Sequence, residues 1–157
     1  MLKPTLTARD IMTKRVITLR PDHDLFDVID LFVRNKISGA PVVDRNGKYL
    51  GVFSERASIS LLLDAAERGT PTNHIENFID TEAATVDPHT GLLSIAQILM
   101  QTQYRRLPVV ERGRVIGLIS RRDVLRAAHG QMEPHKVTES GILYLSMLRE
   151  TSEMPVA

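Results

Sequence analysis

The chain has 157 residues, no cysteine, and 20 basic against 19 acidic side chains, so its formal net charge is +1. This composition excludes disulfides, thiolate metal sites and cysteine nucleophiles, and it favours a reducing compartment. The balanced charge argues against nucleic-acid binding. Because residues 1–12 do not resemble a signal peptide and no apolar run could span a bilayer, we expect a cytoplasmic protein that makes no membrane contact.

The sequence contains an internal duplication. When it is moved along itself by 67 residues, polar, apolar and proline positions coincide, and after the loss of one loop residue the match continues at an offset of 66. The order of matched positions over roughly fifty residues predicts two copies of one structural unit. The matched pairs include Thr18/Thr85, Pro21/Pro88, Leu25/Leu92, Pro41/Pro108, Gly51/Gly117, Ser54/Ser120 and Arg56/Arg122.

The apolar periodicity predicts the order strand, helix, strand, strand, helix in each unit. The first unit has a strand at Val16–Leu19, a helix with Leu25, Val28, Ile29 and Phe32 on its apolar face, strands at Ala40–Asp44 and Lys48–Phe53, and a helix with Ile59, Leu62, Leu63 and Ala66. The second has Ala83–Asp87, a helix with Leu92, Ile95, Ala96 and Leu99, strands Leu107–Glu111 and Arg114–Ile119, and a helix with Val124, Leu125 and Ala128.

These elements predict an α/β (α+β) fold. A three-stranded sheet with helices on one face leaves its other face bare, so we expect the two units to pack about a pseudo-twofold axis with a cleft on each side. Ser54 and Ser120 stand where N-caps of the last helices belong. The predicted boundaries are residues 1–68 for the first unit with its N-terminal segment, 69–73 for the linker, 74–130 for the second unit, and 131–157 for a tail with a possible short amphipathic helix.

Both units resemble the CBS domain. The resemblance rests on Ile37–Asp44 with Gly47, Leu50–Val52 and Ser54 in the first unit, and on Arg105–Val110 with Gly117–Ser120 and Asp123 in the second. It implies a Bateman module, in which two CBS units form a disc whose clefts often bind AMP, ADP, ATP or S-adenosylmethionine. It further implies a regulatory role without catalysis, no required cofactor and a homodimer, and the compact free-standing form is similar to bacterial members of the family.

The family's ligand signature is a Ser or Thr followed three positions later by Asp. Ser120 and Asp123 fit it, and a carboxylate there can accept hydrogen bonds from both ribose hydroxyls. Ala57 stands at the equivalent position of the first unit, so we expect two unequal clefts. The nucleotide-binding residues that the resemblance implies are Val16, Ile17, Thr18, Ile37, Ser38, Arg105, Arg106, Ser120, Arg122 and Asp123.

Other interpretations remain open at this point. The spacing of Ser120 and Asp123 is also that of a helix capping box, which needs no ligand. The whole chain could be a structural dimerisation or protein-interaction module with empty clefts. A nucleotide-hydrolysing enzyme using the arginine-rich second unit is a further alternative, although the sequence contains no recognisable nucleophile motif and its five histidines have no metal-ligand spacing.

Overall fold

The computed structural model describes residues 5–69 and 74–131, and the predicted tail helix lies outside them. The predicted order of helices and hairpins is confirmed in both units. The helices are α1 (Ala8–Ile11), α2 (Leu25–Asn35), α3 (Glu55–Arg68), α4 (Leu92–Gln101) and α5 (Arg121–Gln131); the strands are β1 (Gly39–Val43), β2 (Tyr49–Ser54), β3 (Arg106–Glu111) and β4 (Arg114–Ser120); a 3-10 turn spans Glu76–Phe78. None of the helices in the described ranges is long and apolar enough to cross a bilayer.

Each unit is built on one antiparallel hairpin, β1 with β2 and β3 with β4. The register shifts between Val42 and Val43 in the first hairpin and between Val109 and Val110 in the second, at equivalent positions. The two hairpins therefore repeat even their irregularity, as expected for a duplicated unit.

The strand predicted at the start of each unit is reduced to a single parallel bridge, formed by Leu19 with Val42 and by Val86 with Val109. The Leu19 amide donates to the Pro41 carbonyl at 2.9 Å, and the Val43 amide donates to the Leu19 carbonyl at 2.8 Å. Extending this ladder backwards would require an N–H from Pro41, which proline lacks. Pro108 has the same effect in the second unit. In each unit the predicted three-stranded sheet is therefore a two-stranded hairpin with a single parallel bridge.

The two hydrophobic cores exchange short segments. Ile75, at the start of the second unit, is fully buried in the first core beside Phe32 and Phe53. Ala8, near the start of the first unit, is fully buried in the second core beside Ile95. We call residues 7–13 and 74–80 the leading segments. Each core is completed by the leading segment of the other unit.

Backbone hydrogen bonds fix the leading segments. Val52 and Asp80 exchange two of them, at 3.0 and 2.8 Å, and Thr13 and Leu118 exchange two at 2.9 and 3.0 Å. The leading segment 74–80 approaches β2 so closely that a Cβ on Gly51 would clash with the Asp80 carbonyl oxygen. A Cβ on Gly117, the equivalent glycine, would lie 2.5 Å from Sδ of Met12. At Gly51 the backbone of the leading segment leaves no room for a side chain, whereas at Gly117 the Met12 side chain would have to move.

We expect Gly51→Ala to lower the free energy of unfolding by about 1–3 kcal/mol, the usual cost of forcing extra volume into a packed site. Chemical denaturation measures the change. Gly130→Ala is the matched control, because a Cβ at Gly130 in α5 meets nothing within 4 Å. This control should be neutral or stabilising by up to about 1 kcal/mol. Equal effects of the two substitutions would contradict the close approach of the leading segment.

Candidate functional site

The junction of β4 and α5 carries the predicted Ser120–Asp123 pair. Asp123 Oδ2 accepts hydrogen bonds from the Ser120 amide at 2.8 Å and from its Oγ at 2.9 Å, while Ser120 Oγ accepts from the Asp123 amide at 3.1 Å. Oδ1 lies 3.6 Å from Nη1 of Arg126, and the Asp123 side chain is 11% exposed. The capping-box interpretation is therefore confirmed, and it engages Oδ2 but not Oδ1.

The equivalent junction of β2 and α3 has a different chemistry. Ser54 Oγ accepts a hydrogen bond from the Ala57 amide at 3.2 Å, and the Glu55 amide donates to the Ser38 carbonyl at 2.9 Å. Ser58, which is buried, donates its hydroxyl to the Ser54 carbonyl at 3.1 Å. Because position 57 holds alanine, the helix start here is capped by the serine alone, and no carboxylate stands at the position equivalent to Asp123.

Residues from both units surround a cavity of about 220 Å³ at the mouth of α3, which we call the α3 cavity. It is lined by Ser38, Ser54, Glu55, Arg56, Gln103, Tyr104 and Arg105. A much smaller cavity of about 30 Å³ lies between the two hairpins and borders Ser38, Arg105 and Arg106. Three of the residues predicted from the sequence, Ser38, Arg105 and Arg106, thus meet where the two units face each other.

Tyr104 separates the α3 cavity from a neighbouring cavity of about 310 Å³, since it lines both. The neighbouring cavity also borders Asp80, Glu82, Ala83 and Ala84. The Tyr104 hydroxyl donates a hydrogen bond to Asp80 Oδ2, and the Glu82 amide donates to Asp80 Oδ1 at 3.0 Å. Tyr104 is therefore fixed to the leading segment that completes the first core.

Both tyrosines near Asp80 have raised pKa values. Burial, followed by the hydrogen bond to Asp80, raises the pKa of Tyr104 to about 12. Burial, followed by the charges of Asp80 and Tyr104, raises the pKa of Tyr49 to about 12. The Tyr49 hydroxyl is buried and has no hydrogen-bond partner among the described residues. The sequence analysis did not predict this cluster. The difference between the repeats that could have indicated it is Asp80 and Tyr104, where the first repeat has Thr13 and Ile37.

The remaining predicted site residues lie outside these three cavities. Ile37 packs against the first core, while Val16 and Ile17 are half-buried ahead of the Leu19 bridge. Thr18 and Arg122 are exposed. In the part of the chain that the structure describes, no cluster of three or more His, Asp or Glu side chains is placed to hold a metal ion.

The family model of the CBS domain matches residues 8–57 and 75–130. The chain belongs to the CBS domain family. The two matched segments coincide with the two hairpin-and-helix units described above, and each begins with a leading segment.

Relatives and solved structures agree with this assignment. A crystal structure of CBSX2 in complex with AMP is 31% identical in sequence and has a TM-score of 0.70. The match covers 79% of this chain and 96% of the CBSX2 chain. An uncharacterized protein of Methanocaldococcus jannaschii is 30% identical over 75% of this chain. The chloroplastic CBSX1 of Arabidopsis thaliana is 29% identical over 78% of it. This chain spans only 41% and 64% of those two relatives.

The pKa values of the tyrosines can be tested by ultraviolet titration. We expect the ionisation of Tyr49 and Tyr104 to be delayed from pH 10 to about pH 12, with Tyr49→Phe and Tyr104→Phe each removing one delayed step. Because the raised pKa values favour the protonated tyrosines in the folded state, their contribution to the free energy of unfolding is fully present below pH 10. It is lost as the pH rises towards 12. Asp80→Asn should bring the pKa of Tyr104 back towards 10, and an unchanged titration would contradict the hydrogen bond.

Proposed function

We propose that the chain is a non-catalytic regulatory module that binds an adenosyl ligand, namely AMP, ADP, ATP or S-adenosylmethionine, in the cleft at the mouth of α5. The observation that carries this proposal is the Asp123 carboxylate: Oδ2 is held by the cap, while Oδ1 lies outside it. An oriented carboxylate oxygen of this kind suits a ribose hydroxyl donor. The AMP complex of the similar CBSX2 supports the ligand class.

The internal duplication supports the composition of this cleft. Moving the lining of the α3 cavity by the repeat offsets leads to residues 36–38, Arg105 and 120–122. The proposed site therefore joins Ile37 and Ser38 of the first unit to Ser120 and Arg122 of the second, with Arg105 available to an anionic group. Val16, Ile17 and Thr18 complete it as the equivalents of 83–85, two of which, Ala83 and Ala84, line the cavity beside Tyr104.

A ligand held by both units would act by shifting a conformational equilibrium. It favours the relative arrangement of the units that it binds more tightly, and it can shift that equilibrium only by the difference between the two affinities. The surface offered to a protein partner changes accordingly. We propose that this ligand-dependent change takes place in the cytoplasm.

Calorimetry with the four ligands tests the proposal. We expect at least one to bind the wild type and, at a hundred times its dissociation constant, to raise the free energy of unfolding by about 2.7 kcal/mol. Asp123→Ala should weaken that ligand by about tenfold or more, because a hydrogen bond from a ribose hydroxyl to a carboxylate is lost. ATP incubated with magnesium should remain intact.

The control must separate ligand contacts from helix capping. Asp24→Ala removes the carboxylate that accepts a hydrogen bond from the Phe26 amide at 2.8 Å, at the start of α2, outside the proposed cleft. Like the loss of the Asp123 cap, this substitution should lower the free energy of unfolding by roughly 0.5–2 kcal/mol, but it should leave the ligand affinity unchanged. If none of the four ligands binds the wild type, or if Asp123→Ala binds as the wild type does, the adenosyl site is refuted.

An exposed apolar surface on α2 and α3 supports the expected homodimer. Val33 is 71% and Ile59 59% exposed, and they border a groove of about 250 Å³. The equivalent of Val33 in the second unit, Met100, is 82% exposed. We propose a second copy as the occupant, because an apolar surface repeated on both units suits a symmetric interface.

Sedimentation equilibrium tests the dimer. The wild type is expected to be dimeric, and the double variant Val33→Asp, Ile59→Asp should be monomeric with an unchanged circular dichroism spectrum, because charges would be buried in the interface. Arg45→Asp, in the exposed β1–β2 turn, is the control and should remain dimeric. A monomeric wild type would contradict the proposed dimer.

A further inference from the structure

The turns of the two hairpins, residues 44–48 and 111–114, lie against each other. Lys48 of the first turn and Arg114 of the second form an antiparallel bridge. These two residues occupy the same position in the two repeats, at the offset of 66. A contact between equivalent positions lies on the pseudo-twofold axis that relates the units. The two turns therefore form one continuous surface, which we call the paired turns.

Each turn lies beneath a basic side chain of the other. A Cβ added to Gly47 would come within 2.6 Å of Nη1 of Arg114, and a Cβ added to Gly113 would lie 4.0 Å from Cγ of Lys48. The Tyr49 amide donates a hydrogen bond to the Gly113 carbonyl at 2.7 Å, which fixes the two backbones. The fold thus brings two like charges to the same place.

The paired turns carry four exposed cations, which are Arg45, Lys48, Arg112 and Arg114. Arg45 and Arg112 are repeat equivalents too, at the offset of 67. None of the four forms an ion pair with a residue in the ranges 5–69 and 74–131. The positive charge is therefore duplicated about the axis along with the backbone.

The two carboxylates of the paired turns are engaged locally. Asp44 Oδ1 accepts hydrogen bonds from the Asn46 amide at 2.8 Å and from the Lys48 amide at 2.9 Å. Glu111 forms an ion pair with Arg9 of the leading segment 7–13. Arg9 is a further cation at this end of the molecule, so the surface keeps an excess of positive charge.

The stability of the fold does not explain these cations. In the second turn φ is 51° at Arg112 and 75° at Gly113. A two-residue turn of this kind favours asparagine or glycine at its first position, because a Cβ is strained at positive φ. Like charges that face each other in an antiparallel pair are also destabilising. Since both features oppose folding, an anionic partner explains the cations better than the fold does.

The paired turns are separate from the cavities and from both helix starts. Neither turn borders the α3 cavity, the two cavities beside it or the groove on α2 and α3. Strand β2 has six residues, so about 17 Å of extended chain separates Tyr49 from Ser54. An anion at the paired turns would therefore occupy a different surface from a ligand at Asp123.

The side chains of the paired turns favour carboxylates as partners. Guanidinium groups can bind a carboxylate through two parallel hydrogen bonds. Residues 44–48 and 111–114 include no aromatic side chain on which a nucleobase could stack. They also include no apolar side chain that could enter a bilayer.

We infer that the paired turns bind an acidic segment of a partner protein, whose Asp or Glu side chains contact the four exposed cations. The inference goes beyond the proposed function because it names the surface and the chemistry of a protein partner. It rests on the paired turns and not on the adenosyl site at Asp123.

Fluorescence anisotropy with a labelled octaglutamate peptide at low salt tests the inference. We expect the wild type to bind this peptide. The double variants Lys48→Gln, Arg114→Gln and Arg45→Gln, Arg112→Gln should each bind it about fivefold or more weakly, because two charge-assisted contacts are lost. Added salt should weaken the binding of the wild type, since exposed charges are screened.

The double variant Arg34→Gln, Lys36→Gln is the matched control. Both residues are exposed and lie at the end of α2, close in sequence to the start of β1 and hence at the end of the hairpin away from its turn. This control loses the same net charge and should bind octaglutamate within about twofold of the wild type. If it binds as weakly as the turn variants, overall charge attracts the peptide and the inference is overturned.

Chemical denaturation separates binding from a role in folding. Lys48→Gln, Arg114→Gln keeps most of both side-chain stems and removes the facing charges, so its free energy of unfolding should equal or exceed that of the wild type. A clear loss of stability would show that these cations serve the fold, and it would overturn the inference.

Two competing probes decide the class of partner. Octauridylate RNA and phosphatidylserine vesicles should both bind the wild type more weakly than octaglutamate at the same salt concentration. Tighter binding of either probe, lost in the turn variants, would overturn the inference in favour of a nucleic acid or a membrane. Absence of octaglutamate binding would overturn it as well. These titrations contain no adenosyl ligand, so their failure leaves the proposal at Asp123 intact.

Discussion

The pairs of backbone hydrogen bonds between Val52 and Asp80 and between Thr13 and Leu118 hold the molecule together as one body. They attach each leading segment to the hairpin of the other unit, and the buried Ile75 and Ala8 then complete cores that would otherwise be open. Neither unit can release its partner without exposing its own apolar interior to water. The walls of the α3 cavity come from both units for the same reason.

The two helix starts follow hairpins of equivalent register, so their chemical difference lies in a few side chains. One helix start has a serine and a carboxylate, the other a serine and an alanine. Beside the second start, Tyr104 and Asp80 replace residues that are isoleucine and threonine in the first repeat. Duplication supplies the hairpin and helix twice, while substitution at a handful of positions gives each helix start a different set of polar side chains.

The repeat, the hairpins and the caps could be predicted because they depend on local patterns of apolar residues, glycine and serine. The sheet was predicted too wide, since the effect of Pro41 and Pro108 appears only when the neighbouring strand and its missing N–H are considered together. The exchange of Ala8 and Ile75 could not be predicted from periodicity, because the apolar pattern of a short segment does not indicate which core it enters. Tyr104 and Asp80 lie far apart in sequence, and only the fold brings the hydroxyl to the carboxylate.

The capping role of Asp123 and its proposed ligand role are compatible, although each alone would explain the residue. Two hydrogen bonds from Ser120 fix one carboxylate oxygen and thereby the rotamer of the side chain, which is 11% exposed. A ligand that uses the other oxygen then pays little additional side-chain entropy. Arg126, 3.6 Å from that oxygen and largely exposed, can leave it at small cost because exposed ion pairs contribute little. The cap therefore orients the group that a ribose would need.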